Sequence, residues 1–248
     1  MGEEERFKMK RIDILLEINE LIERYPGLAL YNESQTGFFI RGDLHFNASF
    51  GKTALEEIYE IEIVVPPGYP ENIPTVKELS DKVEIKTHIF SNGSLCLGSP
   101  LRIRKLFSKQ KNLVGFVEYC ILPFLYSDAY YQKFNEMPFG ELDHDGKGLL
   151  QFYREYLKID NDLIVLSFLK ILAENGYKAN KHCPCNSGKK AKNCHGSTIK
   201  AMRSLLGSKQ YSIEYKLVGD ELFSRGVKVP RSLVSKAALK KLEKLQVQ

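Results

Sequence analysis

Four residues have the types and spacing of a metal site. They lie in Cys183-Pro-Cys185-Asn-Ser-Gly-Lys-Lys-Ala-Lys-Asn-Cys194-His195-Gly. The Cys-x-Cys and Cys-His pairs supply two short bites, and the intervening loop contains Gly188 for a tight bend. Three thiols and one imidazole are the soft and borderline donors that a structural zinc ion takes. Using Cys183, Cys185, Cys194 and His195 together leaves no open position, so the expected cofactor is a structural Zn2+ rather than a catalytic one. His182 beside them reads as a bystander, and the neighbouring lysines offset thiolate charge.

A second chemistry is available at Cys96, in His88-Ile-Phe-Ser-Asn92-Gly93-Ser-Leu-Cys96-Leu-Gly-Ser-Pro. Irregular backbone beside an Asn-Gly turn exposes reactive groups. The thiolate is the nucleophile, and an ordinary thiol near pKa ~8.5 is only a few per cent ionised at neutral pH. Transfer of an acyl group already activated as a thioester needs no strong adjacent base. It needs exposure, position and donors for the oxyanion. Taken alone, a cysteine between Leu95 and Leu97 also reads as a small core residue. Cys120, in Phe116-Val-Glu-Tyr-Cys-Ile-Leu, falls inside a helical apolar pattern and is expected to be buried and inert. Five cysteines in all is an odd number, which argues against a disulfide framework.

The elements that must position these groups follow from periodicity. Residues 5–24 predict an amphipathic helix, with Phe7, Ile12, Leu15, Leu16, Ile18, Leu21 and Ile22 at helical spacing and Pro26-Gly27 as its stop. Residues 37–48 and 57–65 predict strands, the second from the alternation of Tyr59, Ile61, Ile63 and Val65. Pro66-Pro67-Gly68-Tyr69-Pro70 must leave the sheet, since proline cannot donate to a ladder. A short strand is expected at 75–79 and mostly irregular chain from 82 to 106. Helices are expected at 112–126, 147–157, 198–206 and 231–246, with a strongly apolar one at 162–175 closed by Gly176. Helix, antiparallel strands, then helices make an α+β chain. The expected division is a domain at 1–160, a connecting helix at 161–180, the metal motif at 181–197 and a helical tail at 198–248.

Composition is that of a globular protein, 43% hydrophobic and 27% charged over 248 residues. No apolar run approaches the roughly 18–20 residues of a membrane helix. The acidic start lacks the apolar core of a secretory signal, so the expected location is cytoplasmic. The net charge of +5 is unevenly spread. Lys178, Lys181, Lys189, Lys190, Lys192, Lys200, Arg203 and Lys209 stand between Tyr177 and Gln210 without one Asp or Glu. That stretch suits phosphates, an acidic protein face, or simply a solvated surface around the metal site.

The order Tyr59…Ile61-Glu-Ile-Val-Val-Pro66-Pro-Gly-Tyr69-Pro70-Glu-Asn-Ile-Pro74-Thr-Val76, followed by His88…Asn92-Gly93-Ser94-Leu95-Cys96-Leu97, resembles the ubiquitin-conjugating enzyme family over roughly residues 5–130. The resemblance implies that family's fold: an N-terminal helix, an antiparallel meander, the cysteine loop and C-terminal helices. It implies that Cys96 carries the C terminus of a ubiquitin-like or other protein as a thioester and passes it to an amine. His88 falls eight residues before Cys96, at the position of the family's loop asparagine, and would support the oxyanion. Lys86-Thr87-His88 replaces the family's His-Pro-Asn, and the chain lacks the tryptophan that usually follows the cysteine. Asp128, Asp143 and His144 are candidates to flank the cysteine and accept a proton, His144 first among them, although a polar loop with turn residues explains each more simply.

Phe139-Gly140-Glu141 and the segment from His144 to Gly148 resemble divergent bacterial relatives, which belong to anti-phage operons. There the conjugated partner can be a cyclic-nucleotide synthase. The N-terminal helix, with Lys8, Lys10 and Arg11, is where the family docks an activating enzyme. The cysteine–histidine segment closely resembles the SEC-C motif, Cys-x-Cys-x8-Cys-Cys/His. Two rival readings remain: a non-catalytic module that binds ubiquitin-like proteins, and a nucleic-acid or ribosome adaptor acting through the basic zinc module.

Overall fold

Which positions of the first helix face inward is settled by an i, i+4, i+7 stripe. In α1 (Glu3–Arg24), Ile14, Ile18 and Leu21 are buried. Ile12 and Leu16, expected on the apolar face, instead point outward, 47% and 61% exposed. The computed structural model describes residues 3–138 and 145–234, with side chains from residue 10 onward. The chain divides into two compact units, Met1–Gly140 and Glu141–Gln248, each described by itself.

In the first unit an antiparallel meander follows α1, with strand order β1-β2-β3-β4. β2 (Gly37–Phe50) and β3 (Thr53–Val65) form its long central hairpin, in a register that sets Ile40 opposite Ile63 and Leu44 opposite Tyr59. Alternation puts Ile40, Leu44, Tyr59, Ile61 and Ile63 on one buried face, where they share a core with the helices. β4 (Thr75–Glu78) adds Val76 opposite Ile63. β1 (Leu28–Ser34) has no counterpart among the expected strands. It is an edge strand in which only Leu28 is buried, so it carries no apolar alternation to read.

The proline-rich segment after β3 leaves the sheet as expected and is pinned by Tyr69. The buried Tyr69 hydroxyl donates to Glu17 Oε2 at 2.5 Å, and Leu113 N donates to the same oxygen at 3.0 Å. One carboxylate of α1 thus ties two otherwise separate segments.

Residues 82–106 are less irregular than expected. α2 (Pro100–Phe107) starts from Ser99, whose side chain accepts from Arg102 N, with Pro100 in the first turn. The long helix expected at 112–126 is a composite. Asn112 caps α3 (Leu113–Phe116), a π turn follows at Val117–Ile121, and α4 (Leu122–Phe134) continues to Asn135 in the left-handed region. Pro123 has no N–H for the residue four back, and the widened turn lies just before it. α3 packs on α1, and α4 packs on β3.

In the second unit, α5 (Asp145–Leu157) and α6 (Asp162–Ala173) pack on α8 (Ser208–Ser224), and α7 (Gly196–Leu205) packs on α6. α5, expected within a domain reaching residue 160, belongs to this unit. α8 was not expected. Its inner face, Tyr211, Val218 and Leu222, is interrupted by the buried Glu214, which hides the helical pattern. Glu214 is satisfied by the Tyr153 hydroxyl and by Gln210 Nε2. A 3-10 turn occupies Arg231–Leu233, and the rest of the helix expected at 231–246 lies outside the described residues. Among the described residues no helix is long and apolar enough to cross a membrane.

Burial raises the Glu17 carboxyl above its ordinary value, against the hydrogen bonds from Tyr69 and Leu113. Glu17→Gln keeps an acceptor and removes the half-buried charge, so its stability at neutral pH should equal or exceed that of the wild type. Glu17→Ala should lose about 1–3 kcal/mol by leaving two donors unpaired. A raised carboxyl favours the folded state below the ordinary carboxylate range, and that gain is lost as pH rises through the raised value. The wild type should therefore gain on the Gln variant as pH falls. Denaturant titrations at neutral and acid pH measure both effects, and a Gln variant as unstable as Ala would contradict the assignment.

Candidate functional site

Cys96 is placed by a small hairpin-like fold of residues 88–96. Phe90 N donates to Ser94 O and Gly93 N to Phe90 O, with Gly93 at φ 81°. Asn92 Oδ1 accepts from Ser94 N at 3.0 Å and Ser94 Oγ at 2.7 Å, which locks the turn. One side leans on the sheet, since Leu95 N donates to Val76 O of β4. The other leans on a 3-10 turn, Lys86–His88, since Cys96 N donates to His88 O at 2.7 Å. His88 and Cys96 are therefore brought together through the main chain. The His88 ring lies edge-on to Phe124 of α4, with centroids 6.3 Å apart.

The two cysteines of this unit differ as their contexts require. Cys96 is half-buried, whereas Cys120 is 3% exposed within the core. Burial pushes the Cys120 thiol up to about 11. It pushes Cys96 up as well, partly opposed by the Gly98 backbone N–H. Cys96 is thus a half-buried thiol whose surroundings favour its protonated form.

Asp128 does not serve as a proton acceptor beside Cys96. Its side chain is 0% exposed and every lone-pair direction is occupied. Oδ1 accepts from Glu84 N at 2.8 Å and Ile85 N at 3.0 Å; Oδ2 accepts from Tyr59 Oη at 2.9 Å and Gln132 Nε2 at 2.6 Å. Gln132 also donates to Lys82 O. α4 thereby grips the backbone just before the 3-10 turn that receives Cys96. Burial, then the Asp128 carboxylate, drives the Tyr59 hydroxyl far above its ordinary value, so Tyr59 remains a donor. The sequence offered one signal for this clamp, an aspartate inside the apolar run Leu125-Tyr-Ser-Asp-Ala129, but not its partners. Asp143 and His144 lie outside the described residues.

The second unit brings Cys183, Cys185, Cys194 and His195 together, with ligand atoms all within 4.8 Å of one another. Cys183 Sγ lies 3.4 Å and Cys194 Sγ 3.2 Å from His195 Nδ1, and the sulfurs of Cys185 and Cys194 are 3.5 Å apart. A tetrahedral ion bound to thiolates at about 2.3 Å spaces its donors by roughly 3.5–3.8 Å, so this cluster can hold a metal ion. The knuckle is built by backbone: Cys183 N donates to Lys189 O, and Ala191 N to Lys181 O. Gly188 at φ 72° turns it. Ser187, unremarked in the sequence, places Oγ 3.2 Å from Cys185 Sγ and 3.5 Å from Cys194 Sγ. The glycine after His195 is also required, since a Cβ on Gly196 would sit 2.6 Å from the Ala191 carbonyl oxygen. The His195 ring stands edge-on to Phe168 of α6, centroids 5.2 Å apart.

No family model, no curated protein and no solved structure matches the chain.

If Asp128 holds the Cys96 loop through Glu84 and Ile85, Asp128→Ala should free that loop. Timed alkylation should then label Cys96 several-fold faster than in the wild type, while Cys120 stays slow. Stability should fall by about 3 kcal/mol or more, from several donors left unpaired. Unchanged Cys96 labelling in a folded variant would show that the clamp does not reach the cysteine.

Proposed function

We propose that this chain is a ubiquitin-conjugating-like transferase that carries a protein C terminus as a thioester on Cys96 and passes it to an amine. The observation that carries this reading is the placement of Cys96: a half-buried thiol on a turn stitched to the last strand of a four-strand meander, preceded by an N-terminal helix and followed by helices. That order accords with the motifs running from Tyr69-Pro70 to Cys96-Leu97. In loading, the Cys96 thiolate attacks the carbonyl carbon of an incoming thioester, the new C–S bond forms, and the donor thiolate leaves and takes a proton. In discharge, an amine nitrogen attacks the same carbon, the bond to Cys96 breaks, and the amine gives its proton to a base. His88 is assigned to support the oxyanion, because its backbone is hydrogen-bonded to that of Cys96. The partner is a ubiquitin-like protein or another protein activated at its C terminus, with an activating enzyme as donor; a setting in bacterial defence accords with the same motifs.

A Gly-Gly-ending peptide prepared as a mercaptoethanesulfonate thioester tests the reaction. Intact mass should show the acyl group on Cys96, removable by excess thiol, with loading faster as pH rises because burial keeps the thiol protonated. His88→Ala should leave loading nearly unchanged and slow discharge to lysine by roughly ten- to a thousand-fold, as for loss of one preorganised donor. Absence of any adduct on Cys96, with binding of the protein partner retained, would leave the non-catalytic binding module instead.

In the second unit, Cys183, Cys185, Cys194 and His195 are assigned to one structural zinc ion, which supplies a cross-link rather than a step of the reaction. Elemental analysis should find about one zinc per chain. Cys185→Ser should lose the metal and loosen the segment around it while leaving the first unit folded. Zinc kept at full stoichiometry in that variant would remove the assignment.

A further inference from the structure

The basic segment between Tyr177 and Gln210 concentrates the charge of the chain. It holds eight cations and no acid, more than the whole chain's surplus of +5, so the remainder is net acidic. The structure turns this composition into a surface. Lys189 and Lys190 lie at the single bridge that pairs Lys190 with His182, Lys192 on the 3-10 turn beyond it, and Lys200 and Arg203 one turn apart on α7; all are exposed. Among the described residues, none of the eight cations forms an ion pair. Like charges held unpaired on a rigid frame repel one another, and that cost is recovered when a polyanion binds.

We infer that the metal knuckle and α7 form a binding surface for double-helical nucleic acid, gripped through its phosphates. Two absences within the described surface choose this partner. Residues 178–210 contain no Phe, Tyr or Trp, so they offer no aromatic platform on which the bases of a single strand stack. None of the large exposed hydrophobic residues falls in this stretch, so it lacks the apolar anchors on which a protein interface depends. What remains is seven lysines and one arginine. Lysines act as point charges, suited to phosphate oxygens, without the planar fork that reads bases or carboxylates bidentately. Binding is therefore insensitive to base sequence and steeply dependent on salt.

The test uses the full-length, zinc-loaded chain and labelled short duplex DNA, the corresponding RNA duplex, their single strands, and polyglutamate as a polyanion without phosphate. Both duplexes should bind more tightly than either single strand, with affinity falling linearly in log–log form between about 50 and 200 mM salt. Replacing Lys189, Lys190 and Lys192 by Gln should make that slope shallower by about one per removed phosphate contact, with metal content unchanged. A second variant, Lys200→Gln with Arg203→Gln, repeats the measurement away from the knuckle, should the first lose its metal. No duplex binding at the lower salt, single strands bound as tightly, or an unchanged slope in a metal-replete variant would each overturn the inference. Polyglutamate competing charge for charge would overturn it too, in favour of an acidic protein.

Discussion

The carboxylate of Asp128 is fully buried, and its two oxygens accept four hydrogen bonds from three directions. Two come from backbone N–H groups before the 3-10 turn, one from Tyr59 in the central hairpin, and one from its own helix. A buried charge costs several kcal/mol unless such donors surround it. Sheet, loop and helix must therefore arrive together for the charge to be tolerated. The Cys96 hairpin inherits its position from that agreement, since the turn receiving Cys96 begins where Asp128 lets go. Glu17 plays a similar part on the opposite flank of the sequence, where Tyr69 and Leu113 share one oxygen. The first unit is thus an apolar core whose loops are fixed by one buried carboxylate, Asp128, and one half-buried, Glu17.

Much of this was legible in the residues where burial is simple. The alternation from Tyr59 to Val65 located β3, and the apolar run from Asp162 located α6, because each buries one kind of surface at one period. The metal cluster was legible for another reason: ligand chemistry fixes spacing, and no tertiary context is needed to read it. β1 escaped because an edge strand with a single buried residue has no period. α8 escaped because Glu214 stands on its inner face, a charge that makes sense only once Tyr153 is across from it. Ser99-Pro100 is a readable start for α2, a cap followed by a proline, in a segment whose residues otherwise suggest irregular chain. The outward turn of Ile12 and Leu16 shows the limit of reading a helix with apolar residues on more than one side. Asp128 marks the deeper limit, since its backbone partners are more than forty residues away and N–H groups leave no trace in side-chain pattern.

The second unit solves a different problem. Its helices bury Phe168, Leu169, Ile199 and Met202, but the knuckle between α6 and α7 has little apolar surface of its own. A metal ion held by the four clustered ligands would supply the cross-link that small segments of this kind use in place of a core. The edge-on packing of His195 against Phe168 connects the ligand cluster to the helices, and Gly196 gives the chain room to pass from one to the other. The exposed cations then stand on backbone that is fixed from beneath.

Half-burial of Cys96 bears on its oxidation as well as on the proposed acyl exchange. Peroxide oxidises thiolates, and a thiol held in its protonated form by its surroundings resists conversion to sulfenic acid at neutral pH. A cysteine raised by burial in this way is oxidised more slowly than one whose pKa is lowered. Under the proposed reaction, the same half-burial keeps the Cys96 thiol reduced between encounters with its acyl donor.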